Sequence, residues 1–154
     1  MADPVVRDCW VGAPAIFKLN QCSTTINKAY EGGQCFLVGS SLVKRDYRDV
    51  DVRLILPNDL FAHAFGELDY SSTQYHPRMS LLSVVVSDWL SKETGLPVDF
   101  QFVSAGRHQR MYADKPKHEL GYFYKMNAMP SPDYIKNVIE EEAYEIQRNL
   151  AKAT

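Results

Sequence analysis

At 154 residues, 45% of them hydrophobic and 23% charged, the chain is long enough to bury one core and has the make-up of a soluble globular protein rather than a disordered one. A formal net charge of −2 gives no global attraction to nucleic acid or to an anionic membrane, so any such partner would have to be held by a local patch. The longest apolar run, Leu81 to Val86 with one serine in it, is far too short to span a bilayer, which sets the expectation of no membrane partner.

Three cysteines, Cys9, Cys22 and Cys35, form no Cys-x-x-Cys pair, and their odd number suits reduced thiols in a cytoplasmic protein. No basic segment followed by an apolar one marks a signal peptide at the N-terminus. There is no internal repeat and no low-complexity tract, so a single domain over 1–154 is expected.

In chain order, residues 1–12 read as an arm or a short strand. Pro14 suits the first turn of a helix running to about Tyr30, with Ile16, Leu19, Thr24, Ile26 and Tyr30 as an imperfect inner face, and Gly32-Gly33 stops it. A strand over 34–38 ends at Gly39-Ser40, where the missing Cβ permits a sharp turn or close approach of a ligand. A second strand over 49–56 alternates: Asp49, Asp51 and Arg53 on one face, Val50, Val52, Leu54 and Leu56 on the other. Pro57-Asn58-Asp59 closes it and caps a short helix from Leu60 to Phe65.

Residues 66–78 read as an exposed loop. The segment 78–94 predicts a helix with Met79, Leu82, Val85/Val86 and Trp89/Leu90 on one stripe and Gly95 at its end. A third strand follows, Val98 to Val103, with Val98, Phe100 and Phe102 inward and Asp99 and Gln101 outward. Ser104 to Arg110 reads as a basic loop. Residues 111–132 are irregular, with a short edge strand within Glu119–Tyr124. Asp133 caps a last helix to about Lys152, with Ile135, Ile139, Ala143, Ile146 and Leu150 as its inner stripe and Glu140-Glu141-Glu142 on its wet side. The fold class expected is α/β (α+β): a small mixed β-sheet with helices packed on one face and an acidic groove on the other.

If the second and third strands are neighbours, Asp49, Asp51 and Asp99 converge on the open face. Clustered carboxylates repel unless cations sit between them, and hard oxygen ligands suit Mg²⁺ or Mn²⁺, with substrate phosphates completing the shell. Gly39 and Ser40 would then lie beside the ions, with backbone N–H groups and a hydroxyl to grip a phosphate. His63, His76, His108 and His118 have no metal-ligand spacing, so zinc is not expected. Lys44, Arg45 and Arg48 are a solvated loop or an anion clamp. Arg107, His108 and Arg110 are an exposed loop or a hold on a base or acceptor. Tyr70, Tyr75, Tyr122 and Tyr124 either stack a base or pack against the sheet, and Trp89 belongs to the core.

Gly39-Ser40, then Asp49-Val-Asp51 on the next strand, then Asp99 on a later one, resembles the nucleotidyltransferase superfamily of the DNA polymerase β type, including minimal and antibiotic nucleotidyltransferases. The stretch Gly39 to Leu54 also resembles small phage-encoded nucleotidyltransferase-like proteins. The resemblance spans roughly 34–105. It departs from the superfamily in a short Ser40–Asp49 connection without the usual second glycine, which bears on the triphosphate-binding geometry.

The resemblance implies transfer of NMP from an NTP to a hydroxyl, with release of pyrophosphate. Asp49 and Asp51 would bind the metal that bridges the triphosphate. With Asp99 they would share a second metal that lowers the pKa of the acceptor, whose proton Asp99 takes. Gly39 and Ser40, with Lys44 or Arg45, would hold the β- and γ-phosphates. Arg53 would contact a phosphate or neutralise Asp51. The acceptor, whether small molecule, RNA or protein, is left open, as are the oligomeric state and the base. A template-directed polymerase is not expected from so short a chain. The location implied is the cytoplasm, the host's if the chain is phage-encoded. Two alternatives stand beside this one: a protein-modifying AMP transferase, and a catalytically silent nucleotide-binding or interaction module, such as an antitoxin-like partner or phage accessory protein.

Overall fold

The computed structural model describes residues 9–66 and 76–121 and, in the C-terminal helix, residues 140, 143–144 and 146–152. The chain divides into two compact units, Met1–Phe123 and Tyr124–Thr154. In the first, the elements run α1 (Ala15–Ala29), β1 (Gln34–Val38), a 3-10 turn (Ser40–Leu42), β2 (Val50–Leu56), α2 (Asn58–Phe65), α3 (Pro77–Thr94), β3 (Val98–Ser104), α4 (Ala105–Tyr112) and β4 (His118–Glu119). The strands form one mixed sheet in the order β3-β2-β1-β4. β1 pairs antiparallel with β2 and with β4, whereas β2 and β3 are parallel, joined by the α2–α3 crossover.

Alternation decides the faces of the sheet. Cys35, Leu37, Val52, Leu54, Leu56, Val98, Phe100 and Phe102 are all buried, and Leu19, Ile26, Phe61, Phe65 and Leu90 pack with them from the helices. Phe102 is the hub of the aromatic contacts, with edge-on partners in Tyr30, Phe65 and Phe100 at 5.3, 4.9 and 5.0 Å between ring centroids.

β3 is an outer strand, and such edges expose unpaired N–H groups. Here α3 covers them: Ser87 Oγ accepts from the Phe100 N–H at 2.8 Å and Ser91 Oγ from the Val98 N–H at 3.0 Å. On the other side α1 carries two asparagines that hold β1 and the end of β4. Asn27 Oδ1 accepts from the Cys35 N–H at 2.8 Å, its Nδ2 donates to the Leu120 carbonyl at 3.3 Å, and Asn20 Oδ1 accepts from the Gly121 N–H at 2.8 Å. Gly121 has φ +86°, and a Cβ there would lie 2.7 Å from Asn27 Nδ2, so both the turn and the close approach require glycine.

Several expectations need correction. Ser104–Arg110 is not a loop but the start of α4. Ser104 is its N-cap, with Oγ accepting from the Arg107 N–H at 3.2 Å. Through its contact with Arg53, α4 packs on the face away from the other helices, so the helices are not confined to one side. On α3, Met79, Leu82, Val86, Trp89 and Leu90 join the core, but Val85 is 54% exposed, as are Leu81 and Val84 to a similar degree. The run is apolar on every side, so its composition does not choose a face. Among the described residues, the edge strand is only His118–Glu119, at the start of the predicted segment. In the second unit the described residues are helical, with Ala143, Ile146 and Leu150 exposed rather than buried. Tyr70, Tyr75, Tyr122, Tyr124, Ile135 and Ile139 lie outside the described residues.

No helix among the described residues is long and apolar enough to cross a membrane.

Candidate functional site

The parallel register of β2 and β3 sets Asp51 directly beside Asp99, and the antiparallel register sets Val38 on the other side of Asp51. Asp49 lies one residue before β2, in a bend rather than in the strand. Two acids from distant parts of the sequence are therefore cross-strand neighbours on the outer face, with a third next to the strand that carries one of them. Neighbouring strands lie about 4.8 Å apart, close enough for strong mutual repulsion.

Asp51 carries the consequence. Its carboxyl is pushed above its ordinary value of 3.8, first by partial burial and then by the charges of Asp49 and Asp99, against weaker pulls from Arg53 and Arg48. Asp49 turns to Arg48, Oδ2 to Nε 3.6 Å, and Asp99 Oδ2 accepts from Gln101 Nε2 at 3.0 Å. As they are placed, no three His, Cys, Asp or Glu side chains among the described residues are gathered to hold a metal ion. The donor set still fits a hard divalent cation. It is oxygen only, it gathers at the start of two adjacent strands, and Arg53 and Arg48 only partly offset the acids around Asp51. Asp49 and Asp99 are tied only by a surface ion pair and an exposed side-chain hydrogen bond, both weak restraints.

Gly39 ends β1 with φ +78°, and a Cβ built on it would collide with the Asp51 carboxylate. The glycine is thus required twice, by the backbone angle and by the acid that fills its side-chain space. Ser40 opens the 3-10 turn that follows. Gly39 and Ser40 border a pocket of about 330 Å³, lined also by Val38, Val43, Arg53, Tyr112, Lys115 and Pro116.

The expected clamp cations behave differently. Lys44 and Arg45 are exposed in the loop after the turn and do not line this pocket. Arg53, on the Asp51 face, lays its guanidinium 3.8 Å above the ring centroid of Tyr112. Lys115 joins it from the segment after α4.

His108 is not on an exposed loop. It is buried on α4, its ring 6.0 Å from that of Tyr112, and burial, then Lys117, then Arg53 hold its pKa below the usual histidine value. All three cysteines are free thiols, and burial pushes Cys35 up to about 12, so it is an inert core thiol.

Tyr112, Lys115, Pro116 and Val43 were not foreseen as pocket residues. One signal was available: Ser104 followed by His108 and Tyr112 at i+4 has the capped, one-sided pattern of a short helix. Gly106 argued against it. In the structure that glycine gives its N–H to Asn58 Oδ1 at 2.8 Å, so its small size serves a close contact between α4 and α2. In comparison with known proteins, no family model and no curated protein matches the chain.

Proposed function

We propose that the protein is a metal-dependent nucleotidyltransferase that moves NMP from an NTP to a hydroxyl acceptor. The observation that carries this reading is the pairing of Asp51 with Asp99 across β2 and β3, beside Asp49 and against the Gly39 turn. Asp49, Asp51 and Asp99 are the residues to hold Mg²⁺ or Mn²⁺. A divalent ion there supplies charge neutralisation for the triphosphate and acidifies the attacking hydroxyl.

The chain's own groups do the rest. The Gly39–Ser40 turn offers backbone N–H groups and a hydroxyl to the phosphates. Lys44 and Arg45 lie in the exposed loop that follows and are the cations assigned to the far phosphates. The acceptor oxygen bonds to the α-phosphorus while the bond from that phosphorus to the bridging oxygen of the β-phosphate breaks. Pyrophosphate leaves with the electron pair. Asp99 takes the hydroxyl proton and, being exposed, passes it to water.

A second reading, a silent nucleotide-binding or interaction module, is favoured by the turn of Asp49 to Arg48 and of Asp99 to Gln101. Calorimetric titration with each NTP, with and without Mg²⁺, separates the two. Metal-dependent binding that disappears in Asp49→Ala and Asp51→Ala, with pyrophosphate released once an acceptor is present, supports transfer. NTP binding indifferent to metal and to both substitutions rejects it.

A further inference from the structure

The pocket beside Gly39–Ser40 has a chemistry of its own. Its walls are mainly apolar, from Val38, Val43, Pro116 and the ring of Tyr112, while its charges are the two cations Arg53 and Lys115, and no carboxylate lines it. Arg53 is preset: its guanidinium rests on Tyr112 at 3.8 Å, and its Nε is cut off from solvent without a hydrogen-bond partner. A guanidinium seated on a ring, with a second cation lining the same pocket, is a receptor for a planar or tetrahedral anion. At about 330 Å³ the pocket is at the small end of ligand sites and suits a compact molecule, not a polymer chain.

We propose that this pocket binds a small organic anion: a molecule with an apolar body and one phosphate or carboxylate group. The anion lies on Arg53 and Lys115, and the body lies against Val38, Val43 and Pro116. A cationic ligand meets two like charges there and is refused. Tyr112 acts as a positioning residue through Arg53. The binding of the anion does not rest on the transfer reading above.

The test is calorimetry on the full chain in EDTA, with phenyl phosphate, benzoate and, as the cationic counterpart, benzylamine. At least one of the two anions binds saturably at one per chain, the arm that binds identifies phosphate or carboxylate, and benzylamine does not bind. Lys115→Ala and Arg53→Gln each weaken binding by at least about tenfold. Tyr112→Phe keeps the affinity and Tyr112→Ala loses it, which separates the ring platform from the hydroxyl. Arg78→Ala, a charge-matched change on α3, leaves it unaltered, and circular dichroism checks that each variant is folded. The proposal is overturned by no saturable binding of either anion, by affinities indifferent to Lys115 and Arg53, or by equal binding of benzylamine. Anion binding in EDTA without any metal-dependent NTP binding keeps the pocket and removes the transfer reading. NTP binding with metal but no anion in the pocket removes this proposal alone.

Discussion

Asp51 shows how a single side chain can work against the fold it sits in. Its carboxylate is partly buried, faces two other acids and fills the space a side chain at 39 would need. Because its folded-state pKa is raised above the unfolded value, the protonated form is the one the fold prefers. Any stability it contributes is present at low pH and is lost as pH rises through the folded value. At pH 7 the charged acid is therefore destabilising. Asp51→Asn is expected to raise the melting temperature at pH 7, with the gain disappearing as pH falls below the folded pKa. Mg²⁺ is expected to raise the melting temperature of the parent but not of this variant. A lower melting temperature for Asp51→Asn, measured by calorimetry, would show that the acid is compensated by groups already in the protein.

At the scale of elements, the sheet depends on how α1 finishes its edges. Asn27 is bonded at both ends of its amide, to the Cys35 N–H in β1 and to the Leu120 carbonyl after β4. Asn27→Ala leaves the N–H of the buried Cys35 without its acceptor. The expected cost is about 1–3 kcal/mol, read by urea denaturation, with accelerated amide exchange at Cys35 and across β4 as its local signature. An unchanged exchange rate at Cys35 would mean that β1 and β4 hold their edges without α1. Most elements were legible from sequence because each rests on local rules. The strand 34–38 has its bounds as expected, and the second and third strands, α1 and α3 differ by a residue or so. α4 was hidden because Gly106 and three basic residues look like a loop until the cap at Ser104 and the contact with Asn58 are seen.

At the scale of the whole molecule, His108 links stability to pH. It is buried on α4, faced by Arg53 from β2 and Lys117 from the segment before β4, with Tyr112 along its own helix. Its pKa is lowered by burial and by those two cations, so the fold prefers the neutral ring. The stability it contributes is complete above the unfolded value of 6.5 and is lost as pH falls through the folded one. The difference in unfolding free energy between the parent and His108→Gln, measured in urea, is expected to shrink as pH falls from about 7 to about 5. A constant difference over that range would place the imidazole in contact with solvent.

By itself, the sequence determined the alternation that makes Asp51 and Asp99 point outward, the glycine that ends β1, and the apolar stripes that bury the opposite face. These follow from periods of 2 and 3.6 residues, which any short window contains. Tertiary structure alone decided that residue 51 stands opposite residue 99 rather than two places away, that Val86 rather than Val85 enters the core, and that Arg53 and Lys115, not Lys44 and Arg45, line the pocket. Register between strands some 48 residues apart, and the return of α4 across the sheet, are set by the packing of the whole domain.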